Sequence, residues 1–433
     1  MVRQIISFIL LSLFTLSTEK SIAQDTLRLN KVEAESVFLQ NNLMLLAEHL
    51  SISKAEARLI QAKVWPNPTL TVDQVNLWKP SSKIQGEELI PPLSGSFGRN
   101  QQFGISVEQL VLTAGKRRKL MALEKVGIEQ SKHYFEELLR GLKIEFRTQL
   151  NQLNYLQSYK SIYETQLASI QQLTIAYKNQ VDAGFLNKGE YIRLKASELE
   201  ILSEIQNLEN EYNEVEFNLK QLMNLPTTSR FVLSSEGFAV NVNQLLELNI
   251  AALIDTAQNN RPEYQMALLH EEYAQKYLAV ERAERIPNLA LIGEYNRGDG
   301  LYMDFIGFGI SMDLPVFNRN KGNIKVAELE TQQAKINQQF VVSGIEKEVS
   351  LAALQLRRAN SFFEQIDKEY ESELDQILLA YTQSFKNKNI NLIQYLDFLE
   401  AYLENKNIIL QATVDLRNKA EELNYAVGKD IIQ

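Results

Sequence analysis

Long stretches of the chain place apolar residues at steps of three or four, the spacing that predicts amphipathic helices. One stretch runs from about residue 118 to about 181 without a proline, and a returning stretch stops at Pro226. A second pair covers about 322–385 and about 392–426. A helix of roughly 60 residues is about 90 Å long, a length that coiled-coil packing uses and a single globular core does not. The pattern therefore predicts two long helical hairpins.

A shorter helical pattern precedes each hairpin. The first runs from Asn30, a candidate N-cap, to Lys63, and ends where Trp65 is followed by two prolines. The second covers about 245–284 and is interrupted near Pro262. We expect one continuous helix in the first case and a broken helix in the second.

Apolar and polar residues alternate in four short segments, as in strands with one apolar and one polar face. The segments predict two β-hairpins, at about 69–109 and about 289–314. The first hairpin has a long tip from Trp78 to Arg99 that is rich in Pro, Gly and Ser, whereas the second turns around Gly298–Gly300.

The same landmarks occur twice, at an offset of about 205 residues for two of the three, which indicates a duplicated unit. The pairs are Pro66-Asn67 with Pro287-Asn288, Gly104-Ile105-Ser106 with Gly309-Ile310-Ser311, and Ala176-Tyr177 with Ala380-Tyr381. We expect two repeats, at 24–226 and 227–433, each with a helix, a β-hairpin and a long helical hairpin.

The composition of the chain excludes several classes of function. Of the 433 residues, 45 are basic and 54 acidic, and the net charge of -9 argues against a nucleic-acid partner. The absence of cysteine excludes disulfides and thiolate metal sites. Three histidines are scattered through helical patterns, and no motif for nucleophilic, metal-dependent or phosphate-binding chemistry is present. We expect a protein that is not an enzyme and needs no cofactor.

Residues 1–23 are typical of a secretory signal peptide. Arg3 precedes an apolar stretch of about a dozen residues, which is shorter than the roughly 20 that span a membrane. Ser21-Ile22-Ala23 fits a cleavage site before Gln24. Since no cysteine lies nearby, we expect an exported chain that carries no lipid.

Four strands with one apolar face cannot form a stable sandwich alone, but strands from several chains can close into a barrel without free edges. Three copies would supply about twelve strands, within the range of outer-membrane barrels. On this interpretation Ile105 and Ile310 face lipid, and the polar positions face a wet lumen. A periplasmic helical rod capped by β-structure is the alternative.

The chain resembles the TolC family of outer-membrane efflux proteins. The resemblance lies in the duplicated Pro-Asn and Gly-Ile-Ser elements, the paired long helices, and the stretch Ile390–Asp397. It implies a mainly α-helical homotrimer with a small membrane β-barrel in the outer membrane of a Gram-negative bacterium. It also implies a periplasmic helical tunnel that docks a periplasmic adaptor protein and, through it, an inner-membrane pump, for which we expect the RND type.

The resemblance further implies that the turns of the helical hairpins contact the adaptor and close the pore. The turn positions are Gly184 and Lys388, and the candidate gate residues are Glu190, Gln394 and Asp397. The implied function is an exit duct that conducts substrates passively and opens on adaptor contact. A type I secretion duct of the same fold and a periplasmic coiled-coil adaptor remain alternatives, and the sequence leaves the substrate open.

Overall fold

The structure is a computed structural model that describes residues 26–76, 102–234, 236–238, 249–297, 304–366 and 368–432. The expected signal peptide, the tip Trp78–Arg99 and the turn Gly298–Gly300 lie outside the described residues.

The described chain is mostly helical, as the sequence predicts. The helices are α1 (Lys31–Asn41), α2 (Leu43–Lys63), α3 (Lys116–Asp182), α4 (Lys188–Leu222), α5 (Ile250–Asn260), α6 (Pro262–Glu284), α7 (Lys321–Glu364), α8 (Lys368–Lys386) and α9 (Leu392–Val427). The strands are β1 (Thr26–Leu29), β2 (Thr69–Asn76), β3 (Gln102–Val111), β4 (Arg230–Leu233), β5 (Leu289–Arg297) and β6 (Asp304–Ser311).

The chain divides into two compact units that do not coincide with the two repeats. Unit 1 contains residues 1–46, 139–256 and 348–433, and unit 2 contains residues 47–138 and 257–347. The boundaries fall inside helices α2, α3, α5 and α7, so each unit takes segments from both predicted repeats.

Asn30 caps helix α1, as expected, and Glu33 completes a capping box with it. The expectation of one helix from Asn30 to Lys63 is wrong, because the helix is interrupted at Asn42. The Asn42 side chain is buried, donates to the carbonyl of Leu222 at 2.8 Å and accepts from the amide of Leu45 at 3.0 Å. This side chain ends α1 and caps α2, which local spacing alone does not indicate.

A small parallel sheet in unit 1 joins the beginnings of the two predicted repeats. Strand β1 pairs with β4, and Thr26 lies opposite Arg230. Sequence periodicity did not reveal either four-residue strand, because each is too short to show an alternation.

Helices α3, α4, α8 and α9 bury a continuous apolar core in unit 1. The expectation of an unbroken helix over 322–385 is wrong, since α7 ends at Glu364 and α8 begins at Lys368. The last amides before the break, of Gln365 and Ile366, bond three residues back. Glu369 and Glu371 in the first turn of α8 favour a new helix N-terminus there.

The C-terminal end of the chain is held in unit 1 by charged side chains. Arg147 donates two hydrogen bonds to Glu35, both at 2.9 Å, and also bonds Glu421 and Asp430. Lys143 lies 2.7 Å from Asp430. One guanidinium therefore links α1, α3, α9 and the residues after α9.

Unit 2 contains an antiparallel sheet of four strands in the order β2-β3-β5-β6. Strand β3 pairs with β5 from Phe103 opposite Arg297 to Val111 opposite Leu289. Helix α6 begins with Pro262 in its first turn, where the missing N–H costs no helical bond, and this confirms the expected interruption.

Candidate functional sites at the helical turns and the sheet

The turns between α3 and α4 and between α8 and α9 have the same backbone geometry. Gly184 has a φ of 80° and Lys388 a φ of 61°, both in the left-handed region. The amide of Gly184 bonds Val181 and that of Lys388 bonds Phe385, in each case three residues back. The next amide in each turn bonds five residues back, which completes a Schellman motif. The two proposed tip positions are therefore structurally equivalent.

An asparagine begins the helix after each turn. The Asn187 side chain accepts from the amide of Gly189, and the Asn391 side chain accepts from the amide of Gln394. Gln394 also returns a bond, since its Oε1 accepts from the backbone N–H of Asn391 at 3.0 Å. The candidate gate residue Gln394 thus forms a capping box, a structural role that the sequence analysis did not assign to it.

Stacked aromatic rings join the two helical hairpins close to these turns. The ring of Phe385 lies between Tyr177 and Tyr395, with centroid distances of 5.7 Å and 4.9 Å. Tyr395 is fully buried, and its hydroxyl has no hydrogen-bond partner within the described part of the chain. The stack connects α3 to α8 and α9, so the two turns are packed as one element.

The remaining candidate gate residues are exposed: Glu190 lies on the first turn of α4, and Asp397 lies on the second turn of α9. Burial and the nearby Glu190 carboxylate raise the pKa of Tyr177 above its usual value. Arg193 and Lys388 are bases close to these turns, and within the described ranges neither forms an ion pair with Glu190. Both carboxylates are therefore available to an aqueous opening or to a partner.

A buried lysine holds α9 against α8. Lys406 is 6% exposed and lies 3.0 Å from Asp375 and 3.2 Å from Glu371. The Tyr402 hydroxyl donates to the same Asp375 at 2.8 Å, and burial together with this carboxylate raises the pKa of Tyr402. Each polar group in this cluster has a partner, as a buried charge requires.

Sequence reasoning missed an acidic groove between α4 and α9. Its volume is about 760 Å³, and its lining includes Tyr159, Tyr163, Leu399 and four glutamates. The glutamates are Glu200, Glu204, Glu400 and Glu404. Burial raises the pKa of both tyrosines, whose hydroxyls are 3.1 Å apart. The i, i+4 spacing of each glutamate pair was the available signal, but it did not show that the two helices face each other.

The sheet in unit 2 has one apolar and one polar face. Ile105 lies beside Val72 and Tyr295 in one row across the strands, and Ile310 lies beside Leu291. Since Tyr295 and Leu291 are four residues apart on β5, Ile105 and Ile310 share a face. The Ile310 side chain is 71% exposed, so this face is open in the single chain.

The opposite face carries polar side chains and glycines. Ser106 lies beside Thr71 and Glu294, and Gly104 lies between Asp73 and Asn296. A Cβ at Gly104 would collide with the Asp73 carboxylate, so the glycine gives the two polar side chains room above the backbone. A face of this kind suits water rather than a packed core.

None of the helices in the described ranges is long and apolar enough to cross a membrane.

The described residues also contain no cluster of three or more His, Asp or Glu side chains placed to hold a metal ion.

No family model and no curated protein sequence matches the chain. Solved structures do match it over most of its length. A crystal structure of CusC that describes transmembrane channel formation has 17% identity and a TM-score of 0.69, covering 92% of this chain and 91% of that one. The Campylobacter jejuni CmeC outer membrane channel has 15% identity and a TM-score of 0.70, with coverage of 92% and 85%.

The open state of the Neisseria gonorrhoeae MtrE outer membrane channel has 14% identity and a TM-score of 0.66, with coverage of 92% and 88%. At these identities the likeness establishes the fold. The chain has the fold of the TolC-family outer-membrane channels, which confirms the resemblance found in the sequence.

Proposed function

We propose that the chain is the outer-membrane exit duct of a tripartite efflux pump in a Gram-negative bacterium. The observation that carries this proposal is the four-stranded sheet with one apolar face, on a chain that shares its fold with outer-membrane channels. The duct conducts substrates passively from the periplasm to the exterior, and no catalytic step is involved. Export uses residues 1–23, and the mature chain carries no lipid.

The sheet supports closure by several copies. Strands β2 and β6 lie at its edges and pair on one side only within the described residues. Because the sheet has an even number of antiparallel strands, β6 of one copy runs antiparallel to β2 of the next. Three copies give a closed barrel of twelve strands in which every edge is paired. The apolar face with Ile105 and Ile310 then contacts lipid, and the polar face lines the lumen.

Exposed apolar side chains on the helices also support a homotrimer. On α7, Val326, Leu329, Ile336 and Phe340 recur at helical spacing, and Phe340 is 78% exposed. A stripe of this kind is typical of a surface that packs on another helix. On α2, Met44, Leu46, Leu50 and Ile60 are each more than half exposed.

The turns at Gly184 and Lys388 are the proposed contact with a periplasmic adaptor, which links the duct to an inner-membrane pump of the RND type. Glu190, Gln394 and Asp397 are the proposed gate. Two turns of matched geometry in one chain favour a duct over the adaptor, because a duplicated duct has two helical hairpins per chain and an adaptor would have one. A type I secretion duct has the same fold, and the inner-membrane partner would distinguish the two.

Engineered disulfides between copies test the proposal, since the chain has no cysteine of its own. One cysteine is placed on β2, at Leu70 or Val72, and one on β6, at Ile306 or Phe308. All four positions lie on the apolar face. Oxidised membranes should contain disulfide-linked species up to the trimer for at least one pair, and extraction should require detergent.

The matched control keeps the β6 cysteine but moves the β2 cysteine to Thr71, which lies on the polar face. This pair should not crosslink, because one side chain points into the lumen of the barrel and the other points out to the lipid. A protein that is recovered without detergent as a monomer, with no crosslink for any pair, would contradict the proposal.

A further inference from the structure

Four segments that connect the sheet of unit 2 to its helices meet at one end of the sheet. Thr69 pairs close to the end of β3, Val111 pairs with Leu289, and Ser311 pairs with Ala290. The start of β2, the end of β3, the start of β5 and the end of β6 therefore lie side by side. The segments next to these strand ends are therefore neighbours. They are residues 62–68, 112–119, 282–288 and 312–325.

These segments are basic, although the whole chain has a net charge of -9. They contain ten basic residues and only two acidic ones, Glu284 and Asp313. The basic residues are Lys63, Lys116, Arg117, Arg118, Lys119, Arg282, Arg285, Arg319, Lys321 and Lys325. Positive charge is concentrated where the helices meet the strands.

The described carboxylates neutralise only a few of these cations. Lys116 is buried and lies 3.0 Å from Glu284, and Arg282 and Lys325 both approach Glu328. By contrast Arg118, Arg285 and Lys321 are exposed and form no ion pair with any described residue. Their charge is available to an external anion.

Exposed apolar side chains lie in the same segments. The Arg117 guanidinium lies 4.2 Å from the centroid of the Trp65 ring, which is 53% exposed, and donates to the carbonyl of Lys63. Phe317 is fully exposed at 101%, and Leu314 is 71% exposed. Aromatic rings next to arginine and lysine are typical of the boundary between membrane and water.

We infer that this region, the basic collar, binds the anionic phospholipids of the periplasmic leaflet of the outer membrane. The basic collar is defined as Lys63, Arg117, Arg118, Lys119, Arg285, Arg319 and Lys321. The inference rests on the proposed function, which inserts the apolar sheet face in the membrane and places the helices in the periplasm. The apolar strand faces lie in the hydrocarbon layer, and the cations lie in the segments next to the strand ends. They are therefore at the level of the lipid headgroups, where they attract anionic lipid.

A lipid fits these observations better than a free phosphate. A free anion would need only the cations, whereas the adjacent Trp65, Leu314 and Phe317 offer apolar surface for acyl chains. The overall charge of the chain would not attract an anionic lipid, because the net charge is negative. The phosphate group binds the basic collar, and its acyl chains continue along the apolar face.

The test uses the full protein, purified in detergent, and native mass spectrometry to count retained lipids. The probes are phosphatidylglycerol and phosphatidylcholine, with inorganic phosphate in excess as a competitor. The collar variant carries Arg118→Gln, Arg285→Gln and Lys321→Gln. The control variant carries Lys54→Gln, Lys347→Gln and Lys429→Gln, which remove the same charge from exposed positions outside the collar.

Wild type and control should bind phosphatidylglycerol about tenfold more tightly than phosphatidylcholine, and the collar variant should lose this preference. Inorganic phosphate should not displace the lipid. The inference is overturned if the collar variant prefers phosphatidylglycerol as strongly as the wild type does, or if inorganic phosphate displaces the lipid. Either result leaves the proposed function intact. A weaker oligomer with unchanged lipid preference assigns the collar to contacts between copies and also overturns it. A protein that needs no detergent overturns the proposed function and the inference with it.

Discussion

Lys388 adopts, in the second helical turn, the left-handed backbone conformation that Gly184 adopts in the first. Each residue donates the same hydrogen bond to the residue three back, and the next amide donates to the residue five back. The following helix is capped by asparagine in both cases. A residue with a Cβ costs roughly 1–2 kcal/mol in this conformation, whereas glycine adopts it freely. The second turn therefore carries backbone strain that the first avoids.

Exchanging the residue types should shift the stability of the turns in opposite directions. Lys388→Gly should lower the local opening equilibrium of the second turn by about fivefold, because about 1 kcal/mol of strain is removed. Gly184→Ala should raise that of the first turn by a similar factor. Hydrogen–deuterium exchange of the turn amides measures both changes.

The control is Lys388→Ala, which removes the charge and length of the side chain but keeps the Cβ. The turn amides of this variant should exchange with deuterium at the same rate as those of the wild type. If Lys388→Ala protects the turn as strongly as Lys388→Gly, side-chain repulsion rather than backbone strain destabilises it.

The buried hydroxyl of Tyr395 should contribute nothing favourable to stability. Because it has no described hydrogen-bond partner, Tyr395→Phe removes a desolvated polar group and keeps the stack with Phe385. The unfolding temperature should stay constant or rise, corresponding to as much as about 1 kcal/mol.

Tyr402→Phe is the matched comparison, since Tyr402 is on the same helix and its hydroxyl donates to Asp375. This variant should lower the unfolding temperature, by an amount equivalent to about 1–2 kcal/mol. A loss of stability in Tyr395→Phe as large as that in Tyr402→Phe would show that the Tyr395 hydroxyl has a partner.

Features with a local cause could be predicted from the sequence. The Asn30 cap with Glu33 three residues later is a local motif, and a proline inside a helical pattern indicates that one helix ends before it and another begins at it, as at Pro262. The face on which each strand residue lies follows from the alternation of apolar and polar residues. A register shift by one residue would move the whole apolar set to the polar face. The correspondence of Gly184 and Lys388 as turn positions was implied by the resemblance to the TolC family.

Features that depend on distant contacts could not be predicted. The interruption at Asn42 depends on a carbonyl of Leu222, 180 positions away. Strand β1 exists because β4 lies beside it, and the acidic groove exists because α4 and α9 face each other. In each case the local sequence is compatible with several structures, and long-range packing selects one.

The contact between Arg147 and Asp430 should make the C-terminal end sensitive to acid. Burial raises the pKa of Asp430, but hydrogen bonds from Arg147 and Lys143 outweigh it and hold this pKa below its ordinary value of 3.8. The stabilisation is fully present above that ordinary value and is lost as the pH falls through the lower folded pKa. At pH 7, Asp430→Asn should cost up to about 1 kcal/mol, and this cost should shrink as the pH falls below 3.8.

Thermal unfolding of wild type and variant across this pH range checks the prediction. Asp415→Asn is the control, because Asp415 is exposed on α9 and forms no ion pair with a described residue. It should have no effect at any pH. A deficit in Asp430→Asn that does not shrink at all as the pH is lowered below 3.8 would mean that the carboxylate acts through packing rather than charge.

Asp397 should influence ion selectivity if the turns form the narrow end of a trimeric duct. Three copies place three like charges around one aqueous opening, which favours cations. Asp397→Asn should lower the preference for cations several-fold and weaken block by multivalent cations in planar bilayer recordings. Glu400→Gln is the control, since Glu400 lines the groove with α4. Wild-type selectivity in Asp397→Asn would remove Asp397 from the pore.

Neighbouring residues on β3 should respond in opposite ways to a positive charge. Ile105 lies on the apolar face of the sheet and Ser106 on the polar face, beside Thr71 and Glu294. At the centre of a bilayer an arginine on the lipid face costs roughly 2–4 kcal/mol, whereas a water-filled lumen accepts it. Ile105→Arg should therefore reduce the amount of protein in the outer-membrane fraction, and Ser106→Arg should insert at the wild-type level and alter conductance instead. Normal insertion of Ile105→Arg together with loss of Ser106→Arg would reverse the assignment of the two faces.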